Sequence, residues 1–293
     1  MREIRRRPRT ADHRPRLAGE ALRLAAGGWS SVVGGRRSVV AAILFALLLL
    51  LAGCARQADS WPRIREAGVL RVGIDPTFPP FALDEAGVLT GIDVDLARAL
   101  ATEMGLEAQF TYFGYDGLYD ALLTEQVDVL LSALVIAPER TEDVAYSTPY
   151  FDAGLVLVIP EGETAINGMA DLAGRTLAVE LGAQAHVTAL EWQNRLGDMT
   201  IQTFTSVDEA LSAVQAGEAD AALVDYVGGR LFLRDAATGG RPLTYLPQPV
   251  VPEPYAVVVR IADQQLLTEI DTALERLEQQ GTPAAIINLH LGP

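Results

Sequence analysis

Cysteine is nearly absent from this sequence. It occurs once, at Cys54, so no intramolecular disulfide can brace the fold. Lysine is missing altogether, and all 23 basic residues are arginine, which points to a GC-rich genome more than to a chemical need. Histidine is limited to His13, His186 and His290, isolated from one another, and the motifs HExxH, GxSxG, CxxC and GxxxxGK(S/T) do not occur. These absences leave no metal site, no nucleotide cradle and no cofactor to expect. Positive charge is scarce after Cys54, where 13 arginines face 35 acids for a net charge of −22. So acidic a body is a poor electrostatic match for nucleic acid or an anionic membrane surface, and both are rejected as partners.

The arginines that are present crowd the other end. Arg36-Arg37 is followed by SVVAAILFALLLL (38–50) and LAGC (51–54). A basic edge and about 13 mostly apolar residues fit an export signal, because a membrane-spanning helix needs about 20. Residues 1–53 are therefore read as a signal region. LAGC resembles the lipobox of bacterial lipoproteins, which implies that Cys54 becomes the first mature residue and carries a lipid. Residues 1–35, with eight arginines and no apolar periodicity, are too long for an ordinary start of such a signal, and translation beginning near Val32 or Val33 would explain them. Residues 54–60 read as a short polar tether. The expected location is extracytoplasmic, in the periplasm or at the cell surface, touching a bacterial membrane through the lipid alone.

From Trp61 onward short apolar runs alternate with amphipathic segments, the pattern of an α/β protein. LRVGI (70–74), QFTYF (109–113), DVLLSAL (128–134), TLAVE (176–180), AALV (221–224) and YAVVVR (255–260) read as strands. Helices are expected at 92–104, 117–125, 184–194, 207–216, 226–234, 264–280 and 284–290. A faint repeat says more: GVLRVG followed by ALLTEQVDVLL in the first half corresponds to GRTLAVE followed by SAVQAGEADAALV in the second, with Asp220 standing where Asp128 stood. Two similar lobes are implied. YFDAGLVLVIP (150–160) and the proline-rich QPVVPEPYAVVV (248–259) are candidate crossovers between them, with a ligand cleft between the lobes. The expected division is 61–152 plus 249–293 for lobe 1 and 153–248 for lobe 2.

GIDVDLARAL (91–100) sets two carboxylates two positions apart. On a helix such residues diverge by about 200°, so Asp93 and Asp95 cannot converge on one substrate atom. Their expected place is the helix's first turn, capping free N–H groups. The same segment, extended to GIDVDLARALATEM, resembles the signature of the family 3 bacterial extracellular solute-binding proteins. LRVGIDPTFPPFALDEAGVLTG (70–91), DVLLSALVIAPERTEDVAYSTPYF (128–151) and GEADAALVDY (217–226) are similar to that family's opening strand and loop, central segment and second-lobe counterpart. The resemblance runs from about 61 to 293. It implies a two-lobed periplasmic-binding-protein-like fold of type II with two hinge strands, which closes on a small solute for an ABC permease and works as a monomer.

Arg140 follows Pro138-Glu139, a good helix start, so a cationic fork lies near free N–H groups and suits a carboxylate. In the family the matching arginine grips the ligand's α-carboxylate. Asp225 ends an apolar strand at the edge where open α/β sheets bind ligands, and it matches the family's acid for the ammonium. A helix N-cap is its bland alternative. Asp75 is a second candidate for the ammonium. The resemblance places Phe78 and Tyr115 against the ligand side chain, treats Phe81 as packing, and sets backbone groups of Ala133 and Val135 toward the ligand. Val135 and Ala137 replace residues that are commonly threonine, and Ala183-Gln184 replaces a hydroxyl pair after Gly182, so several expected donors are missing. Glu180 with Asp75 and Asp225 would make an acidic pocket suited to an amine. The expectation is a lipid-anchored, non-enzymatic binder of a small amine-bearing acid, most simply an amino acid. The alternative is a periplasmic cyclohexadienyl or arogenate dehydratase on the same fold.

Overall fold

The computed structural model describes residues 59–235 and 240–292. The signal, Cys54 and most of the tether lie outside the described residues. Among the described residues no helix is long and apolar enough to cross a membrane.

The chain opens with α1 (Trp61–Ala67), β1 (Val69–Ile74), a small meander β2 (Thr77–Phe78), β3 (Ala82–Glu85) and β4 (Val88–Thr90), α2 (Ile92–Glu103), β5 (Glu107–Tyr112), α3 (Leu118–Leu123), β6 (Val129–Leu130), β7 (Val144–Tyr146) and β8 (Phe151–Asp152). It continues through β9 (Leu155–Pro160), β10 (Thr176–Glu180), α4 (Gln184–Leu196), β11 (Thr200–Phe204), α5 (Val207–Ala216), β12 (Ala221–Asp225), α6 (Tyr226–Asp235) and β13 (Leu243–Tyr245). It then returns through β14 (Pro254–Tyr255), β15 (Val258–Arg260), α7 (Gln264–Gln279) and α8 (Thr282–Leu291).

Two five-stranded sheets result, ordered β5-β1-β6-β15-β7 and β11-β10-β12-β9-β13. In each, the opening strand (β1 or β10) runs parallel to both neighbours, and one later strand (β15 in the first sheet, β9 in the second) runs antiparallel to both of its own. The central strands are apolar on both faces because helices cover both sides. Leu70, Val72 and Ile74 are fully enclosed, and α2 and α7 turn Leu96, Leu100, Leu266, Ile270 and Leu277 toward the first sheet at helical spacing. The mixed α/β, two-lobed architecture expected from the sequence is the one observed.

The sequence repeat has a physical counterpart. Asp128 accepts the backbone N–H of Arg71, the third residue of β1, and Asp220 accepts that of Thr176, the first residue of β10. In both lobes the backbone N–H of the aspartate donates back to the same residue's carbonyl. Each carboxylate therefore clamps the first half of its own central strand beside the neighbouring one.

β8 and β14 pair antiparallel, Pro254 opposite Asp152 and Tyr255 opposite Phe151. These are the two crossing strands. Beside them a Cβ on Gly154 would lie 2.0 Å from the Val251 carbonyl oxygen, so only glycine allows the crossing chains to approach this closely. Phe81, Phe151, Tyr226 and Tyr255 pack around the crossing with successive ring centroids 5.1–5.9 Å apart. On α6, Arg230 is buried and donates to Asn288 and to the Gly292 carbonyl at the end of α8, which ties the two lobes outside the crossing.

Two expected strands are shorter than their apolar runs. DVLLSAL supplies only Val129–Leu130, because the chain turns away at Ala133 with a positive φ of 49°. YAVVVR divides between β14 and β15, because Tyr255 belongs to the crossing pair and Val258–Arg260 to the first sheet.

Candidate functional site

The first lobe carries two adjoining hollows that share Tyr115 and Val135. One, of about 350 Å³, is lined by Asp75, Phe78, Ser132, Ala133 and Tyr255 among others. The other, of about 400 Å³, is lined by Tyr119, Pro138, Glu139 and Arg140 among others. A hollow of about 160 Å³ on the second lobe is lined by Glu180, Ala183, Gln184 and Asp225 among others, and Glu253 from the returning crossover borders both this one and the first. Every residue expected to contact the ligand thus lines one of three hollows, with Arg140 and Asp225 on different lobes.

Arg140 ends a short 3-10 turn, Pro138–Arg140. Its guanidinium stands 4.1 Å from the centre of the Tyr119 ring, a cation–π stack that leaves the edge donors free. It is exposed, and among the described residues it has no ion pair, with Glu139, Glu142 and Asp143 included. The rim ion pair that competed with the ligand reading is therefore not made.

Asp225 follows the apolar run of β12, and its Oδ1 accepts the N–H of Gly228 at 2.6 Å. This is the N-cap alternative, and it coexists with a place on the hollow's wall. Asp75 is nearly buried, and its Oδ1 accepts both the N–H and the hydroxyl of Thr77. Its own N–H donates to the Ser132 hydroxyl. Phe78 and Tyr115 are half exposed at 50% and 55%, so both offer ring faces rather than core packing. Phe81 is enclosed and stacks beneath Phe78 at 5.7 Å, as packing. Ala183 and the exposed Gln184 form the start of α4, whose amino end suits an anion.

Two expectations need correction. Ala133 cannot offer its N–H to a ligand, because that N–H already donates to Asp93 Oδ2 at 2.6 Å. Asp93 does not cap its helix: α2 has no side-chain cap, and the other Asp93 oxygen accepts the Tyr150 hydroxyl at 2.7 Å. The pull of these long-range donors outweighs local capping. Burial pushes the Asp93 carboxyl up to about 7, against the lowering effect of both hydrogen bonds. Asp95 pairs with Arg98 one turn on and with His290 of α8. Val135, by contrast, faces Tyr255 across a bridge whose flanking bonds are Ile136 N–H to Pro254 and Ala256 N–H to Leu134. In such a pair the residue's own N–H and carbonyl turn away from the partner strand and stay open.

Sequence reasoning missed Thr77, Ser132 and Glu253. Thr77 had a signal, since an aspartate two residues before a threonine commonly accepts from it in a turn. Glu253 had one too, as the carboxylate within PEP of the proline-rich crossover. Ser132 had none. Among the described residues no three His, Cys, Asp or Glu side chains are grouped so as to hold a metal ion.

Residues 70–293 match the bacterial extracellular solute-binding proteins, family 3. The probable amino-acid-binding protein YxeM of Bacillus subtilis is 29% identical over 243 residues, covering 82% of this chain and 89% of that one. The L-arginine-binding protein of Pseudomonas aeruginosa is 30% identical, covering 80% and 92%. The unliganded, open L-cystine solute receptor of Neisseria gonorrhoeae shares the fold with a TM-score of 0.69 at 24% identity, over 80% of this chain and 97% of that one. With residues 70–293, most of the chain, matched by the family's profile, this chain belongs to the family 3 bacterial extracellular solute-binding proteins.

Proposed function

We propose that this protein captures a small amine-bearing acid, an amino acid in the simplest case, outside the cytoplasm and delivers it to the permease of an ABC importer. Arg140 carries this reading: an arginine with no carboxylate partner among the described residues, held by Tyr119, beside the open backbone groups of Val135. A guanidinium fork binds a carboxylate through two parallel hydrogen bonds. The complementary acids are Asp225 and Glu180 on the second lobe, Glu253 at the crossing and Asp75 on the first lobe, which together suit an ammonium. A ligand favours the closed form only by the extra contacts it makes there, so recognition groups divided between lobes couple binding to closure. Capture of this kind needs no covalent step.

The remaining parts of the reading are an export signal over 1–53, a lipid on Cys54, and a monomer that reaches the membrane through that lipid alone. Mass spectrometry of the mature N-terminus tests them, and an unmodified Cys54 contradicts the anchor. For the ligand, a thermal-shift screen of the full set of L-amino acids, polyamines and small organic acids is decisive, because a ligand bound only by the folded state raises its stability by about 2.7 kcal/mol at a hundredfold excess over Kd. The expected result is a shift with at least one amino acid. No shift with any of them, together with release of carbon dioxide from arogenate or prephenate, would replace capture with dehydration.

A further inference from the structure

The loop from Ser132 to Val135 forms one wall of the first-lobe hollow, and its backbone is not in a conformation that its own sequence favours. Ala133 lies at φ +49°, where residues with a side chain are uncommon and strained. Something outside the loop must hold it there. The Ala133 N–H donates to Asp93 Oδ2 at 2.6 Å, and Asp93 Oδ1 accepts the hydroxyl of Tyr150, the residue just before β8.

Asp93 is itself unusual. It has no exposed surface, yet it carries an acid into the core of the lobe. The chain is shaped to deliver it: at Gly91 (φ +133°) a Cβ would lie 2.1 Å from the Phe81 carbonyl oxygen, so glycine alone lets the start of α2 press against β3. The two donors that meet the carboxylate are a residue lining the hollow and a residue entering the crossing. Neither is an N–H of its own helix. An acid that served only α2 would turn back on the first turn, and it would not require burial.

We propose that Asp93 is a positioning residue for ligand capture. It holds Ala133 in the left-handed region, so that Ser132 and the open backbone of Val135 face the ligand, and through Tyr150 it ties that wall to the crossing strand. The affinity consequence rests on the amino-acid reading above; the conformational consequence does not.

The test uses the full chain, with the backbone and Cβ carbon chemical shifts of Ala133 as the conformational readout and titration with L-arginine and L-glutamine as the binding readout. Wild type and Asp95→Ala are expected to show left-handed shifts at Ala133, and Asp93→Ala to lose them. Asp93→Ala is also expected to bind whichever probe binds wild type at least about tenfold more weakly, the scale of leaving a buried hydrogen-bond donor without its partner. Asp93→Asn keeps an oxygen for the Ala133 N–H and is expected to recover to within about threefold of wild type. Left-handed shifts that persist in Asp93→Ala, or affinity within about twofold of wild type, would overturn the proposal. If wild type binds neither probe but another amino acid, that amino acid replaces them. If it binds no amino acid, the capture reading fails while the Ala133 shifts still decide the positioning role. Should Asp93→Ala not fold, Tyr150→Phe decides: weaker binding, by about threefold, with the fold intact supports the proposal, and unchanged binding refutes it.

Discussion

Asp93 and Asp95 stand two residues apart and serve different partners. The helical divergence that separates them was legible in the sequence, as was their failure to form a catalytic pair. The partners were not legible. Ala133 and Tyr150 lie 40 and 57 residues further along the chain, and no local pattern links them to Asp93. The burial of Asp93 has a consequence for stability. Unfolded, its carboxyl titrates near 3.9, a typical value for an exposed aspartate, whereas burial raises it to about 7 in the fold. Between those values the folded chain holds a proton that the unfolded chain has lost. Its contribution to stability is therefore complete below the unfolded value and is lost as pH rises through the folded one. Asp93→Asn is neutral at every pH and removes this component. The melting temperature of wild type, relative to that of Asp93→Asn, is expected to fall between about pH 4 and about pH 7. Parallel pH profiles for the two proteins would show that Asp93 is not protonated in the fold.

At the scale of elements, most helices and central strands could be read from apolar periodicity, and α5 matches its expected limits of 207–216. The misjudged segments share a cause. The apolar runs 128–134 and 255–260 continue beyond their strands because residues in a loop that lines a first-lobe hollow and in the crossing are apolar for tertiary reasons, and periodicity cannot register this. The aspartate of the repeat was visible, and its use as a strand clamp emerged only with the fold. The two clamps are not equivalent. Asp128 is wholly enclosed and also accepts from Arg71 and Arg63 at 2.6 Å. Burial raises its carboxyl, but these arginine hydrogen bonds outweigh that effect and hold it below the ordinary aspartate value. The Asp220 side chain is 43% exposed, and Arg175 stands 3.8 Å away. Asp128→Ala should therefore cost on the order of 3 kcal/mol, because it strips a buried acid from part-solvated arginines, and Asp220→Ala about 1 kcal/mol. Urea denaturation of the two variants measures the difference, and equal costs would contradict the assigned asymmetry.

For the molecule as a whole, the sequence made two lobes and two crossings visible because each lobe repeats the same order of elements and each crossing interrupts it. Arg140 and Asp225 were expected as a divided pair through resemblance, and the fold sets them in the linings of different hollows. The acid at the crossing, Glu253, and the anchoring of Arg140 on Tyr119 depend on contacts between distant segments and needed the structure. The account turns on one interaction across the bound state, between the guanidinium of Arg140 and the carboxylate of the ligand. Calorimetric titration of wild type and Arg140→Ala, each with the amino acid found by the thermal-shift screen and with its carboxamide, isolates that interaction as a coupling energy. The account predicts that wild type loses about 2 to 5 kcal/mol on going from acid to amide, the range for truncating one partner of a buried charge pair, and that Arg140→Ala, having already lost the pair, loses much less on the same change. Equal losses in the two proteins would contradict it.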